Sequence, residues 1–174
     1  MSKIKDSGSK REFGTGAHRD AAIDKGRCDL VPLDVVAMIA DMDNHVKYFG
    51  NGILWDMVRV QEILKSEEIC KCDLSDAVSE VIRAWCHETK KSLYDWVLEV
   101  AHHYEDGAKK YGENNWQKGM PIRVYFDSAL RHYFKYKRGD VDERHDRAFV
   151  WNMFGMLWTI EHKMECVNPD CDEN

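Results

Sequence analysis

From Leu33 to Ile160 the apolar residues return every three or four positions, and nowhere does strict alternation last long enough to make a sheet face. That periodicity leaves helices packed on helices as the available architecture. Three prolines in 174 residues do not interrupt it. The breaks fall instead at glycine-bearing or polar gaps: GNG at 50–52, SEEICKCD at 66–73, GENNWQKGM at 112–120 and the RGD at 138–140. About six helices follow: Leu33–Phe49, Ile53–Lys65, one opening at Ser75 or Asp76, Ser92–Tyr111, Pro121–Lys137 and Val141–Lys163. Asp34 is placed to cap the first, Gly112 to close the fourth, and Asp140 with Glu143 to form a capping box on the sixth. The fold class is all-α.

A single domain over residues 14–165 accounts for the length, with polar ends at 1–13 and 166–174 expected to be flexible. Residues 34–91 carry no chemical motif and read as scaffold, or as an insert covering a site or an oligomer interface. A net charge of −6 argues against a nucleic-acid binder, though focused basic groups still allow a polyanionic small substrate. No apolar run approaches the roughly 20 residues of a membrane span, and the first residues lack a signal peptide's apolar core. A cytoplasmic protein with reduced thiols is expected. Cys70 and Cys72 with Cys166 and Cys171 make CxC and CxxxxC spacings, a poor match to structural zinc.

Packing needs explain the stretch EDGAKKYGENNWQKG, 105–119, least well. At about 100° per residue, Leu93, Trp96, Val97, Val100, Tyr104, Ala108 and Tyr111 form the core stripe of the fourth helix. Glu105 lies at the stripe's edge beside small residues, whereas Glu99, His102 and Asp106 point to solvent. On the sixth helix the stripe Phe149, Met153, Leu157, Ile160 projects back onto Asp142, His145 and Asp146. Inward carboxylates need a cation or strong donors. One solution is Mg²⁺ or Mn²⁺ held by Glu105, Asp142 and Asp146, with His145 as ligand or proton carrier. The others are a carboxylate–lysine pair with Lys109 or Lys110, and service to the helix dipole.

Trp116 could stack on a base with Asn114 or Asn115 at its edge, or could simply close the core; Trp151 and Asn152 pose the same choice. Arg131 and His132 suit a phosphate-facing pair. The segment 14–32 is either an arm laid over the surface or one whose Arg19, Lys25 and Arg27 reach phosphates.

Four motifs in order, GAHRD…KGRCDLVP (16–32), HHYEDGAKKYGENNWQKGMP (102–121), SALRHYFKYKRG (128–139) and DERHDRAFVWN (142–152), resemble those of the dATP/dGTP diphosphohydrolase family, often phage-encoded and related to the MazG-like all-α pyrophosphohydrolases. The resemblance covers residues 14–32 and 94–163. It implies a helical homo-oligomer that uses Mg²⁺ or Mn²⁺ to cleave dATP or dGTP to the monophosphate and pyrophosphate, in a host cytoplasm if phage-encoded. Nucleic acid and membrane are not among the implied partners. The family's acid before GAKKYG falls on Glu105, its acid-and-histidine cluster on Asp142, Glu143 and His145, and its basic and tryptophan positions on Lys109, Lys110 and Trp116. Glu105 or Glu143, if not a ligand, would take the proton of the attacking water. The paired ExxE and ExxD motifs of MazG-type enzymes are absent as such. A nucleotide-sensing module without turnover and a purely structural bundle are the competing readings.

Overall fold

The computed structural model describes residues 10–12, 18–20, 26–45 and 52–163. Six helices dominate: α1 Leu33–His45, α2 Ile53–Lys65, α3 Lys71–Thr89, α4 Leu93–Tyr111, α5 Ile122–Arg138 and α6 His145–His162. The all-α reading holds, with one addition. Lys10–Glu12 (β1) and His18–Asp20 (β2) pair antiparallel, Arg11 opposite Arg19, a ribbon of three residues per strand. Strands so short leave no alternation in a sequence to detect.

α6 is the axis of the molecule. It packs against α5, α3, α4 and α1, so residues around its whole circumference are buried, from Ala148 and Phe149 through Phe154 and Met156 to Ile160. α5 comes closest. A Cβ placed on Gly155 would stand 2.5 Å from Cε1 of Tyr125, so only glycine lets that fully buried ring lie on the α6 backbone. On another side Trp85 of α3 is wholly enclosed, its ring 4.6 Å from Phe149, 5.6 Å from Trp96 and 5.0 Å from Tyr136. The stretch read as a possible insert therefore contributes α3 to the same core.

Local chemistry explains most boundaries. Ser92 caps α4 in a reciprocal box, its Oγ accepting from the Asp95 amide at 3.2 Å while Asp95 accepts from the Ser92 amide at 2.9 Å. Gly112 closes α4 and Gly139, at φ 88°, closes α5. Three expectations need correction. α3 begins at Lys71 with Cys70 at the cap position, ahead of Ser75. Pro121 is the N-cap of α5, outside its first turn. α6 begins at His145, four residues late, and the box of Asp140 and Glu143 does not form: Asp140 is paired with Arg138, and Glu143 turns to two histidines. The expected end of the first helix, beyond His45, lies outside the described residues. No described helix is long and apolar enough to cross a membrane.

Candidate active site

The turn between Gly139 and His145 brings the last turns of α5 against the first residue of α6. His132 Nδ1 and His145 Nδ1 stand 3.1 Å apart. Glu143 Oε1 lies 3.2 Å from the first and 3.1 Å from the second, closing a triangle of three donor atoms. Asp142 Oδ1 accepts from His145 Nε2 at 2.8 Å. A carboxylate can only accept, so Nε2 carries a proton, and in the neutral ring the Nδ1 lone pair faces the triangle. Lys135 Nζ donates to the other oxygen of Asp142 at 3.1 Å. His145 and then Lys135 hold the Asp142 carboxyl down at about 2. Burial lowers the His132 pKa against the opposing pull of Glu143. A proton on His132 Nδ1, donated to Glu143 Oε1 or His145 Nδ1, or a cation in its place, satisfies these three closely spaced atoms.

Beside this triangle a cavity of about 530 Å³ opens between α4, the 3-10 turn Asn115–Lys118, α5 and α6. Its walls are aromatic. Tyr104 meets Trp116 edge-on at 5.4 Å, and Trp151 packs 5.4 Å from His103 and 6.1 Å from Tyr104. Polar groups punctuate them: Asn115, Asn152, Lys118 and His103. Tyr104 Oη and Trp116 Nε1 are buried with no hydrogen-bond partner among the described residues, which leaves two donors to be satisfied. Burial, then the nearby Arg147 and His132 charges, lowers the His103 pKa, while Glu143 raises it; the ring thus senses the triangle as well as the cavity. Ser128, also in the wall, accepts from Arg131 Nη2 at 2.8 Å and sits one turn before His132.

Several residues singled out from the sequence meet here: His132, Glu143, His145 and Asp142 in the triangle and its support, Asn115, Trp116 and Asn152 in the cavity wall, and Arg131 at its margin. The three carboxylates proposed to share a metal are not brought together. Glu105 accepts from the Gly26 amide and from Lys109, both at 3.0 Å, and Lys109 in first place lowers its pKa. Asp146 is clasped by Arg144 at 2.9 and 3.0 Å; burial raises its pKa, and the arginine with the Arg147 amide more than reverses this. Of the three, Asp142 alone belongs to the triangle's surroundings. The carboxylate–lysine alternative for Glu105 is the one formed.

The arm is likewise a structural anchor at its described end. The Arg27 amide donates to the Ala101 carbonyl at 2.9 Å, and Gly26, at φ 75°, is pressed against Ala101. The Arg27 guanidinium pairs with Asp29 and Glu113 and so has carboxylate partners in place of a phosphate. Lys110 lies over Tyr111 at 4.8 Å. The side chain of Arg19 and all of Lys25 lie outside the described residues. Glu99, read as solvated, joins α4 to α6 by accepting from Arg144 at 3.0 Å. Sequence reasoning missed His103, Tyr104 and Lys118 as cavity walls; the signal available for His103 was Gly107 one turn on, a helical residue that leaves room in front of it.

Residues 93–168 match the family model described as dATP/dGTP diphosphohydrolase, N-terminal. No curated protein and no solved structure matches.

Proposed function

We propose that this chain, which matches the dATP/dGTP diphosphohydrolase N-terminal family model over residues 93–168, hydrolyses a purine deoxynucleoside triphosphate to its monophosphate and pyrophosphate with a divalent cation. The observation that carries the reading is the donor triangle beside an aromatic cavity. Cis ligands about 2.1 Å from an octahedral ion stand about 3 Å apart, and the triangle's edges are 3.1, 3.1 and 3.2 Å. Two imidazoles and a carboxylate suit Mn²⁺ better than Mg²⁺. This replaces the all-carboxylate ligand set as the proposed one, with His132, Glu143 and His145 as ligands. When bound there, the cation supplies Lewis acidity toward a phosphoryl oxygen and an acidified water.

The remaining work falls to the chain's own groups. Asp142, braced by Lys135, holds the His145 ring and its Nε2 proton, as a carboxylate behind a ligating histidine does. Trp116, Trp151 and Tyr104 offer faces and edges to a purine, and Asn115, Asn152 and the neutral His103 offer hydrogen bonds to its rim. Lys118 and Arg131 supply positive charge for the phosphates. Water attacks the α-phosphorus, the bond to the bridging oxygen breaks, pyrophosphate departs, and the water's proton passes to the carboxylate oxygen of Glu143 that lies outside the triangle, the side chain being about half exposed. All three donors come from one chain, so a homo-oligomer, expected from the resemblance, would not need to complete the triangle.

The test is pyrophosphate release from each of the four deoxynucleoside triphosphates with Mn²⁺ or Mg²⁺. Turnover of dATP or dGTP, faster with Mn²⁺ and abolished in His132→Ala and His145→Ala, is expected. No release from either purine substrate, or release indifferent to both substitutions, defeats the reading. Tight dGTP binding in calorimetry without product would favour the sensing module.

A further inference from the structure

The far end of α6 carries a second cluster, sixteen residues and therefore about 24 Å along the helix from His145. There Glu161 accepts from Lys71 Nζ through its backbone carbonyl at 3.0 Å, pairs with the same ammonium at 2.9 Å, and accepts from Ser75 Oγ at 2.7 Å. The last turn of α6 is thereby tied to the first turn of α3. Lys71 sits between Cys70 and Cys72, and its charge is committed to Glu161.

What remains at the start of α3 is a compact set of soft and hard donors. The sulfurs of Cys70 and Cys72 and a carboxylate oxygen of Asp73 all lie within 4.8 Å of one another, and all three residues are exposed. Cys70 occupies the N-cap position yet makes no side-chain cap hydrogen bond, so its sulfur is not used by the helix. The two thiols are hydrogen-bonded to each other, which raises the Cys72 pKa. Shared protons of this kind are what a metal displaces. The positive end of a nineteen-residue helix favours the thiolates that result.

We propose that Cys70, Cys72 and Asp73 form a binding site for a thiophilic divalent cation of the zinc class, with water completing the coordination. Tetrahedral zinc with sulfur at about 2.3 Å and oxygen at about 2.0 Å places its ligand atoms about 3.3–3.8 Å apart; the observed separations lie within 4.8 Å, and the three exposed side chains have room to turn toward a shared ion. Two metal–sulfur bonds form and the two thiol protons pass to solvent, so binding weakens as pH falls. The donors select against Mg²⁺ and distinguish this site from the imidazole–carboxylate triangle. Occupancy fastens the α3 start that Glu161 already ties to α6 and raises thermal stability by mass action.

Titration of the reduced, metal-free full-length chain with Co²⁺ reads the site directly, because a thiolate-to-cobalt charge-transfer band in the near ultraviolet cannot arise from the histidine triangle. The band should saturate by two equivalents, one for this site and one for the histidine triangle that gives no such band, be displaced by Zn²⁺ and be lost in Cys70→Ser and in Cys72→Ser. Cys28→Ser should leave it intact, and Asp73→Asn should keep the band while weakening binding. Unchanged far-ultraviolet circular dichroism in each variant establishes that the fold survives. Absence of the band, its survival in the Cys70→Ser/Cys72→Ser double variant, or its loss when only Cys166 and Cys171 are replaced by serine overturns the assignment.

Discussion

Replacing Gly155 by alanine puts two effects of opposite sign in direct competition. Alanine is favoured over glycine in a helix interior by about 1 kcal/mol. Against this, the new methyl group would stand 2.5, 3.0 and 3.2 Å from Cε1, Cζ and Cδ1 of Tyr125, where carbon atoms normally rest at about 3.5–4.0 Å. The ring has to move by about 1 Å inside a core where it is completely buried. Overpacking of this kind costs about 1–3 kcal/mol, and contact with three ring atoms places it near the upper end. The balance is a net loss of about 2 kcal/mol, which for a protein of this size lowers the Tm by about 4–8 °C. Trp151 packs on the same ring at 6.0 Å, so displacement is passed on to the cavity wall and nucleotide affinity should fall even well below the Tm. Thermal unfolding followed by circular dichroism, with calorimetric binding of a nucleotide, measures both. In a Tyr125→Leu background the clash is relieved and Gly155→Ala should become neutral or stabilising. A higher Tm for Gly155→Ala in the otherwise natural chain would refute the argument.

Other perturbations separate the remaining claims. Asp142→Asn should weaken Mn²⁺ binding by about 10–100-fold while leaving the Tm of the metal-free protein nearly unchanged, since Asp142 is exposed and its pair with Lys135 is a surface one that contributes little; unaltered affinity in a metal titration would remove its supporting role. Because burial makes His103 resist a proton that the unfolded chain accepts near pH 6.5, stability should decline as pH falls below that value, and His103→Gln should flatten the decline in denaturant titrations at successive pH values. Trp85→Ala should cost about 3–5 kcal/mol in chemical denaturation, a loss that a merely peripheral α3 would not produce. Glu105→Ala should loosen the arm from α4 and speed tryptic cleavage after Arg27; an unchanged cleavage rate would show that the Ala101 contact suffices without Glu105.

Helices whose apolar face and caps agree were legible from the sequence. α2 has the predicted limits, and α4 begins where Ser92 and Asp95 form their box. The start of α6 was not, because Asp140 and Glu143 have the right spacing for a capping box but nearer partners, Arg138 and the two histidines, outcompete the backbone for them. The inward lean of Glu105 and Asp146 was read correctly from helical phase, since both are largely enclosed. Their partners were not, because Lys109 one turn on and Arg144 two residues back satisfy them before any shared ion can. The contact between His132 and His145 depends on the path of the five residues 140–144, and no periodicity encodes that path.

The burial of α6 on all sides also bears on the order of events during synthesis. α6 is the last of the described helices to be translated, yet α1, α3, α4 and α5 all pack against it. Until it has left the ribosome, the faces of Trp85 and Tyr133 that meet Phe149 have nothing to close against, and the earlier helices lack the element they pack on. Contacts that join α1 to α6 lie about a hundred residues or more apart in sequence and form only after α6 has been made. Premature termination anywhere before α6 therefore removes the element on which the other helices close their core.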